Sequence, residues 1–507
     1  MNVRDERSKS IWMDTAVAPG ASALDEHVRA DTVVVGSGIA GLSTAYELAA
    51  AGQSVVVLDR GAIGSGMTAR TTAHLAPICD DSLDASVTMR GEALARGFYE
   101  SQAAAVDRIE QIQRDEGIAC EFRRLDGFLF LGPGTDESFL SKEVDAARKV
   151  GADVQPVKGV PFRRQENVPT LRYPRQATFH PLRYLDGLAD AIVARKGRLY
   201  AQTCVTEVTE NTNGVLVKTT SGYEVSADTA VVATNSPIND RLAIHSKQAP
   251  YRTYAMALSI ARDQLPDALY WDTLDPYHYV RLTPRKGPHD SLIIGGADHK
   301  TGEADDAEVR FEALEAWIRN LVPDLGGVTH RWSGQVMDTI DYCGFIGRNP
   351  GSERVYVATG DSGQGMTHGA AGALINAALI LGRDCAWTDV YDPARKNVRG
   401  IRNFLSENMT AVKNFAEYLA PGELSSTDEL KPGQGAIIRQ GLSKIAAFRD
   451  ASGHLHQVSA MCTHVGCHVH WNSFECCWDC PCHGSHFAVD GTALNGPAVS
   501  SLTAISG

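Results

Sequence analysis

Residues 32–41, Thr-Val-Val-Val-Gly-Ser-Gly-Ile-Ala-Gly, predict a short buried strand, a glycine-rich turn and the first turn of a helix. Gly36 permits the tight turn, and Gly38 lets the backbone approach a pyrophosphate. Gly41 lets the helix pack closely on the strand, so that the helix N-terminus faces the phosphates. The stretch therefore predicts a dinucleotide-binding α/β domain near the N-terminus.

The next strand, residues 54–58, ends at Asp59, whose carboxylate is placed to accept hydrogen bonds from ribose hydroxyls. This fingerprint fits NAD as well as FAD, and a plain strand-turn-helix unit without a ligand has the same pattern. A reductase that uses both flavin and nicotinamide needs a second fingerprint in mid-chain. Residues 90–330 contain none, which favours FAD alone.

Two later glycine loops strengthen the case for FAD. Residues 64–74, Gly-Ser-Gly-Met-Thr-Ala-Arg-Thr-Thr-Ala-His, resemble the second flavin-contacting loop of the D-amino-acid oxidase superfamily. Residues 355–366 resemble the loop that closes over the isoalloxazine, before a helix whose positive end would stabilise an anionic reduced flavin. Further matches at 179–185, 228–235 and 344–347 extend the resemblance to glycine and sarcosine oxidases over about residues 31–385. The predicted FAD-binding residues are Gly36, Gly38, Gly41, Asp59, Arg70, Thr71, Gly360, Gly363, Gly365 and Met366.

A second chemical pattern lies near the C-terminus, in residues 462–467, Cys-Thr-His-Val-Gly-Cys, and residues 480–485, Cys-Pro-Cys-His-Gly-Ser. Each loop offers one cysteine and one histidine at close spacing. This suits a [2Fe-2S] cluster with two thiolates on one iron and two imidazoles on the other. A structural Cys2His2 zinc site, or a disulfide with bystander histidines, uses the same residue types.

Around these positions the sequence closely resembles the Rieske family, which implies that Cys462, His464, Cys480 and His483 are the cluster ligands. In respiratory Rieske proteins the extra cysteine of each loop forms a disulfide, and Cys467 and Cys482 stand at those positions. Ser485 stands where a family hydroxyl donates to a cluster sulfur, whereas Phe487 replaces the tyrosine of the respiratory proteins. We therefore expect a reduction potential below that of the respiratory class.

Composition limits the partners and the compartment. The net charge of −13 argues against nucleic acid or an anionic membrane surface and fits a basic electron-transfer protein better. Six of the eleven cysteines lie between Cys462 and Cys482, which is cytosolic usage plus one cluster. The sequence shows no apolar N-terminal region and no transmembrane segment. We expect a soluble, cytoplasmic protein.

The length of 507 residues predicts two or three domains. The expected fold class is an α/β Rossmann-like FAD-binding domain with an α+β substrate domain, plus a small all-β Rieske domain. Helical patterns at 90–116 and 308–321, with strands at 254–260 and 291–294, are assigned to the substrate domain, whose sheet should face the flavin. The expected boundaries are residues 1–30 for an N-terminal segment, 31–385 for the oxidoreductase, 386–425 for a helical connector and 426–507 for the Rieske domain. Within the oxidoreductase, the FAD-binding parts are about 31–80, 175–245 and 335–385, and the substrate domain is about 81–174 and 246–334.

Four residues are candidates for catalysis: His74 at the end of the flavin loop, and Tyr254, Tyr279 and Arg281 on substrate-domain strands. An arginine would hold a substrate carboxylate through two parallel hydrogen bonds. A packed tyrosine or an ordinary ion pair explains each residue equally well. Cys343 is a further candidate because some sarcosine oxidases attach FAD to a cysteine, but its glycine-flanked context resembles the noncovalent relatives.

A flavin accepts two electrons as a hydride, whereas a Rieske cluster carries one at a time. The expected function is therefore an amine or amino-acid dehydrogenase that passes electrons singly from flavin to the cluster and on to an acceptor protein or quinone. Two alternatives stay open: electron flow in the opposite direction from a donor, and a non-catalytic redox sensor. A Rieske oxygenase needs a mononuclear iron site of two histidines and one carboxylate, and no suitably spaced group is present.

Overall fold

A computed structural model describes residues 2–78, 82–239, 244–395, 421–441 and 443–505. The apolar positions of the connector helix, which the sequence predicts between residues 401 and 419, lie outside the described residues. No helix in the described ranges is both long and apolar enough to span a membrane. The described helices are α1 (Ile39–Ala50), α2 (Leu83–Arg90), α3 (Glu92–Asp115), α4 (Ser138–Val150), α5 (Pro181–Ala194), α6 (Ala307–Leu321), α7 (Gly365–Ile380) and α8 (Thr388–Tyr391).

The strands form four sheets. In chain order they are β1 (Val28–Val35), β2 (Val55–Leu58), β3 (His74–Leu75), β4 (Arg123–Phe130), β5 (Gln155–Lys158), β6 (Pro169–Thr178), β7 (Arg198–Tyr200), β8 (Val205–Asn211), β9 (Gly214–Thr219), β10 (Glu224–Asn235), β11 (Gln248–Ala261), β12 (Leu269–Asp272), β13 (His278–Thr283), β14 (His289–Lys300), β15 (Val328–Thr339), β16 (Phe345–Arg348), β17 (Val355–Thr359), β18 (Gln434–Gln440), β19 (Ser443–Arg449), β20 (Leu455–Ser459), β21 (His470–Asn472), β22 (Cys477–Asp479), β23 (His486–Phe487) and β24 (Ala493–Asn495).

The first sheet has the order β16-β17-β10-β1-β2-β7, with the hairpin β8-β9 attached to β10. Strands β17, β10, β1, β2 and β7 are parallel. Val33, Val34 and Val35 are almost fully buried, as expected for a parallel strand that is covered on both faces. Helices α1 and α7 pack against each other on one face, and this places the glycine loops that precede them side by side.

The second sheet has nine strands in the order β15-β11-β14-β13-β12-β4-β6-β3, with β5 paired to β6. Helix α6 covers part of it, and Phe311 from this helix lies in its apolar core. The helix predicted at 90–116 is present as α3, which begins at Glu92 because Gly91, with a φ of +84°, separates it from α2. A glycine adopts this left-handed conformation without a steric penalty.

Two small antiparallel sheets, β18-β19-β20 and β21-β22-β23-β24, make up the C-terminal part. Trp478 and Phe487 are fully buried in their shared core, together with the cysteines of both metal-ligand loops. Phe474 projects from this part into the core of the second sheet, where its ring lies 4.9 Å from Phe311. The predicted fold class is confirmed, and the three parts are packed on one another.

Candidate functional site

The first glycine loop is tightly packed against its own sheet. Gly36 has a φ of +102°, and a Cβ atom there would lie 2.4 Å from the carbonyl oxygen of Ala233 on β10. A Cβ at Gly41 would lie 1.9 Å from the Gly36 carbonyl oxygen. Side chains at these two positions would push the helix away from the strand. The packing therefore accounts for the glycine spacing that the sequence shows.

Nine of the ten predicted FAD-binding residues line one cavity at the carboxyl edge of the first sheet, and we call it the dinucleotide cavity. The exception is Gly41, which lies beneath the loop. Asp59 stands at the end of β2, and its Oδ2 accepts hydrogen bonds from the Ser37 amide at 2.9 Å and the Ser37 hydroxyl at 2.5 Å. Glycine backbone amides can donate to a pyrophosphate, and the carboxylate at the strand end can accept from ribose hydroxyls, which are the groups that a dinucleotide requires. The residues present therefore fit FAD.

Arg70 lines the dinucleotide cavity, but its guanidinium group is committed to other protein groups. It forms ion pairs with Glu475 at 3.0 Å and Glu6 at 3.2 Å, and all three side chains are fully buried. It also donates to the carbonyl oxygens of Val3 and Ser333. The sequence predicted that Arg70 binds the cofactor. In the structure its guanidinium group is bound to the N-terminal segment, the second sheet and the C-terminal part of the chain.

The cluster loops, residues 462–467 and 480–485, face each other. The neighbouring Cys480 thiol holds the pKa of Cys462 below its usual range. The rings of His464 and His483 are 4.9 Å apart. A disulfide joins Cys467 to Cys482, as the family resemblance implied. Two thiols and two imidazoles thus converge, which is the donor set of a Rieske cluster.

The spread of these groups argues against a single zinc ion. Donor atoms around a tetrahedral zinc are about 3.3–3.8 Å apart, as follows from bonds of about 2.0–2.3 Å. Within the described ranges, the one group of three candidate metal ligands whose atoms all lie within 4.8 Å is Cys467, Cys480 and Cys482. Two of these sulfurs are consumed by the disulfide. No three of the predicted ligands meet that distance, so the residues fit a cluster of two metal ions better than one ion.

His245 lies over the histidine side of the cluster loops, a placement that sequence patterns did not indicate. Its ring centroid is 5.0 Å from that of His464 and 5.2 Å from that of His483. The His245 side chain is only 2% exposed, and its Nε2 is 2.9 Å from the carbonyl oxygen of Pro237. The histidine side of the cluster loops is therefore covered by a residue that precedes β11.

The dinucleotide cavity and the second cluster loop share a wall. Gln335 and Asn495 both line the cavity, and both donate to the carbonyl oxygen of Gly484, at 3.0 and 3.2 Å. The Ser236 hydroxyl, next to cavity residue Asn235, donates to the His483 carbonyl oxygen at 3.4 Å. Sequence analysis could not have found the hydrogen bonds of Gln335 and Ser236, because they join residues 149 and 247 positions apart.

A buried network of ionisable residues holds the same interface together, and we call it the interface network. The Nη2 atom of Arg252 donates to both carboxylate oxygens of Asp479, at 2.7 and 2.8 Å. His486 Nδ1 is 2.7 Å from Glu6, and its Nε2 is 2.7 Å from Gln335 Oε1. The nearby cations hold the pKa of Glu6 far below its usual range although burial acts in the opposite direction. The full network is Glu6, Arg70, Arg252, Glu475, Asp479 and His486.

A cleft of 520 Å³ adjoins the dinucleotide cavity and is rich in aromatic side chains, so we call it the aromatic cleft. The two spaces share the lining residues Thr72, Thr253, Tyr279, Val336 and Gly363. Of the four predicted catalytic residues, His74 and Tyr279 line the cleft, with their rings 5.3 Å apart. Burial and the nearby Arg281 cation lower the pKa of His74 to about 3, so its imidazole is neutral at physiological pH.

The other two predicted catalytic residues do not reach the aromatic cleft. The Tyr254 hydroxyl is 3.0 Å from His299 Nε2, and its side chain is packed against Phe311. Arg281 is fully buried and donates to the carbonyl oxygens of Thr72, Ala73 and Phe179. Arg281 does not line the cleft, and its guanidinium group is hydrogen-bonded to main-chain carbonyl oxygens, so the carboxylate clamp that the sequence suggested for it is not formed. Burial lowers the pKa of Arg281 to about 9.

Cys343 lies outside the lining of the dinucleotide cavity. It is 1% exposed and does not line the cavity, and its thiol lies 3.6 Å from the carbonyl oxygen of Val390. Burial raises the pKa of this thiol. The placement agrees with the noncovalent relatives that its sequence context resembles.

Comparison with known proteins finds two families, one matching the part with the dinucleotide cavity and one matching the part with the cluster loops. The family model for FAD dependent oxidoreductases matches residues 31–379, and the model for the Rieske [2Fe-2S] domain matches residues 421–506. A protein of Bacillus subtilis (strain 168) named for a Rieske 2Fe-2S iron-sulfur centre, YhfW, is 29% identical over 99% of this chain and 98% of its own length. The gamma-glutamylputrescine oxidoreductase of Escherichia coli (strain K12) is 27% identical over 71% of this chain and 85% of its own length.

Solved structures with the same fold cover the oxidoreductase part. The glycine oxidase of Geobacillus kaustophilus superimposes with a TM-score of 0.62 at 19% identity, over 73% of this chain and 99% of the oxidase. The L-proline dehydrogenase of P. horikoshii superimposes with a TM-score of 0.59 at 21% identity, over 73% of this chain and 98% of the dehydrogenase. At these identities the likeness establishes the fold.

Proposed function

The chain belongs to the FAD dependent oxidoreductase family and carries a Rieske [2Fe-2S] domain, and from this premise we propose that it is an amine or amino-acid dehydrogenase with a built-in electron outlet. Its cofactors are FAD and a [2Fe-2S] cluster. Oxidation of a C–H bond beside an amine nitrogen yields an imine, two protons and two electrons, and water then hydrolyses the imine. The two electrons leave one at a time to a one-electron acceptor protein or a quinone.

The proposal assigns a site to each cofactor. FAD is held by the dinucleotide cavity, with Gly36 and Gly38 at the pyrophosphate and Asp59 at the ribose. The cluster is held by Cys462 and Cys480 on one iron, and by His464 and His483 on the other. When bound, the flavin accepts a hydride and the cluster carries single electrons.

One observation supports the proposal above all others: residues of the dinucleotide cavity wall are hydrogen-bonded to the second cluster loop. Gln335 and Asn495 each line the cavity, and each donates a side-chain hydrogen bond to the Gly484 carbonyl oxygen. A link of this kind within one folded chain requires neither a second protein nor movement of the Rieske domain. It favours transfer between the two cofactors over independent use of each.

The aromatic cleft supplies the substrate side of the proposal. It opens onto the dinucleotide cavity through shared lining residues, so a bound amine has access to the cofactor. His74 and Tyr279 are the polar groups of this junction that we propose orient the amine. Because the His74 imidazole is neutral, it can accept a hydrogen bond from an amine N–H group. A lined cleft at this junction favours a catalytic role over a redox sensor, which needs no substrate space.

An anaerobic experiment with the holoprotein tests the proposal. Candidate amines and amino acids are mixed with the oxidised protein while flavin absorbance and the EPR signal of the cluster are recorded together. We expect a substrate to bleach the flavin and to bring up the signal of the reduced cluster. A Cys462→Ser variant serves as the matched control, in which the flavin should bleach without the cluster signal.

Two outcomes would contradict the proposal. A cluster that stays oxidised beside a fully bleached flavin would remove the electron outlet. Reduction of the cluster by a donor, followed by reduction of the flavin with no response to any amine, would reverse the direction of flow. The cytoplasmic compartment remains a prediction from cysteine usage, and fractionation of the native host tests it.

A further inference from the structure

We propose that two segments outside the matched oxidoreductase region form a further wall of the FAD site and retain the bound cofactor. They are the N-terminal turn, with Asn2 and Val3, and the Rieske strand β24, with Leu494 and Asn495, and we call them together the closing wall. The inference concerns retention of the cofactor, so it goes beyond the proposed function and applies whichever substrate is oxidised.

The N-terminal turn is fixed against the chain that follows β2. Asn2 and Val3 line the dinucleotide cavity, and Asn2 caps the single 3-10 turn Val3–Asp5. The Asn2 side-chain amide also donates to the Ser65 hydroxyl. A Cβ atom at Gly61 would lie 2.3 Å from Asn2 Nδ2, so the asparagine fits tightly beside this glycine. The turn is therefore held at the edge of the cavity.

Strand β24 brings the Rieske domain to the same cavity. Leu494 and Asn495 line it, and both are buried. Ala493 lies in the apolar core of the C-terminal part, and alternation along the strand directs Leu494 to the opposite face. Arg60 donates to the carbonyl oxygens of Ala493 and Ala498, both at 3.1 Å. The oxidoreductase part therefore binds the chain on each side of Leu494.

The two segments of the closing wall are also joined to each other. The N-terminal turn lies beside β24, which is paired with β23. Glu6, directly after the turn, is 2.7 Å from His486 on β23 and 3.2 Å from Arg70, which lines the cavity. All three side chains are fully buried, so the Glu6–Arg70 ion pair is costly to separate. The wall therefore opens only when this part of the interface network is broken.

The closing wall lies apart from the region that carries the ten predicted FAD-binding residues. Those residues lie between Gly36 and Met366, within the family match at 31–379, whereas β24 belongs to the Rieske match at 421–506. A ligand that binds where three parts of a chain meet stabilises their assembly, and by linkage the assembled parts bind the ligand more tightly. We therefore expect bound FAD and the docked Rieske domain to stabilise each other.

The first test measures how fast the cofactor leaves. The holoprotein is diluted, and the increase in fluorescence of free FAD gives the rate of release, with iron and sulfide content measured in parallel. Leu494→Ala shortens a side chain of the closing wall, and we expect release to be about threefold faster or more. Glu6→Gln removes the charge that joins the two segments from a position outside the cavity lining, and it should accelerate release by about tenfold.

Each variant has a matched control. Leu502→Ala makes the same truncation at a buried position of the Rieske core that lies outside the cavity lining. Glu26→Gln makes the same exchange at an exposed position of the N-terminal segment. With full iron content, both controls should release FAD at the rate of the unchanged protein.

The second test measures the effect in the opposite direction. The urea midpoint for the loss of cluster absorbance is compared between the holoprotein and protein from which FAD has been removed with the cluster intact. We expect a higher midpoint with FAD, and a further increase with the concentration of added FAD. In Leu494→Ala this increase should be smaller.

Three results would overturn the inference. Release at an unchanged rate from both Leu494→Ala and Glu6→Gln, at full iron content, would show that the closing wall does not retain the cofactor. An equal acceleration in the controls would attribute the effect to general destabilisation. A cluster midpoint that is independent of FAD would show that the two sites are not coupled. None of these results concerns substrate oxidation, so the proposed function would stand.

Discussion

The side-chain amide of Gln335 donates a 3.0 Å hydrogen bond to the carbonyl oxygen of Gly484, and this bond joins the dinucleotide cavity to the second cluster loop. The same Gln335 lies 2.7 Å from His486 Nε2 through its Oε1 atom. A Cβ at Gly484 would come within 2.5 Å of Gln335 Nε2, so the close approach depends on glycine at this position. One glutamine therefore connects the two cofactor sites and the interface network.

Replacing this glutamine should weaken the contact. Gln335→Leu leaves buried polar groups on Gly484 and His486 with one partner fewer, at a cost of about 1–3 kcal/mol. We expect a lower urea midpoint for the loss of cluster absorbance and slower reduction of the cluster by substrate. Gln264→Leu, which removes an exposed hydrogen bond to Pro323, should leave both quantities unchanged. Equal behaviour of the two variants would contradict the role of Gln335.

Replacing the ring that covers the histidine side of the cluster loops should change the electronic surroundings of the cluster. His245→Gln removes an imidazole that packs against both His464 and His483. We expect full iron and sulfide content, shifted g values in the EPR spectrum of the reduced cluster, and slower reduction of the cluster by substrate. His454→Gln, at an exposed position of the same domain, is the control. An unchanged spectrum for His245→Gln would remove this residue from the cluster environment.

Adding a hydroxyl beside the cluster loops should raise the reduction potential. Phe487 is fully buried in the same apolar core as Cys462 and Cys480. A tyrosine hydroxyl that donates to a cluster sulfur stabilises the reduced form, and about 60 mV corresponds to a tenfold change in a one-electron equilibrium. We expect Phe487→Tyr to raise the midpoint potential by about this amount in a spectroelectrochemical titration. No upward change would show that the hydroxyl does not reach the cluster.

Removing a cation from the interface network should destabilise the packing between the parts. Arg252→Met leaves the buried carboxylates of Asp479 and Glu6 without this partner, and loss of one member of a buried pair costs about 3–5 kcal/mol. Arg262→Met breaks a partly exposed pair with Asp290 and should cost less than about 1 kcal/mol. Thermal unfolding followed by flavin release and by cluster absorbance compares the two. Similar losses in both variants would contradict the special role of the network.

The stability of the protein should fall in mild acid partly because of His180. Its Nδ1 accepts from the Arg183 amide at the start of α5, and burial together with the Arg183 cation lowers the pKa of His180 from 6.5 to about 4. Between pH 6.5 and pH 4 the unfolded chain binds a proton at His180 more readily than the folded protein does. The stabilisation from neutral His180 is therefore complete above pH 6.5 and decreases as the pH falls toward 4. The loss reaches about 3 kcal/mol at pH 4, from about 1.36 kcal/mol for each pKa unit.

The matched variant for this test is His180→Asn, which keeps a helix-capping side chain and cannot take up a proton in this range. We expect the difference in unfolding free energy between pH 7 and pH 4, measured by urea titration, to be smaller in the variant. His454→Asn, at an exposed site, should behave like the unchanged protein. An equal acid loss in His180→Asn would assign the effect to other groups.

The parts of the molecule that could be predicted from the sequence are those in which chemistry depends on local spacing. The glycine fingerprint beginning at Gly36 predicted a strand, a turn and a helix, and all three are present as β1, the loop and α1. The cofactors and the disulfide between Cys467 and Cys482 followed from family motifs. The residues of the glycine fingerprint are close in the sequence, and each of the two cluster loops has a motif that can be identified without the other.

The relation between the parts could not be predicted in the same way. His245 and Gln335 belong to no motif, and they reach the cluster loops only because distant segments pack together. Arg281 shows the opposite error: its residue type suggested a substrate clamp, but the fold buries it against carbonyl oxygens. The N-terminal residues likewise have no pattern that reveals Glu6 as part of a buried network.

The interface network also fixes the position of the Rieske domain. The Rieske domain is held by Arg252 from the second sheet, by Glu6 from the N-terminal segment and by Arg60, which donates to the carbonyl oxygens of Ala493 and Ala498. Because it is anchored at several points, the Rieske domain has a fixed position beside the dinucleotide cavity. Under the proposed function, an external electron acceptor would have to bind at the surface of this fixed domain, and its concentration would limit turnover when it is scarce.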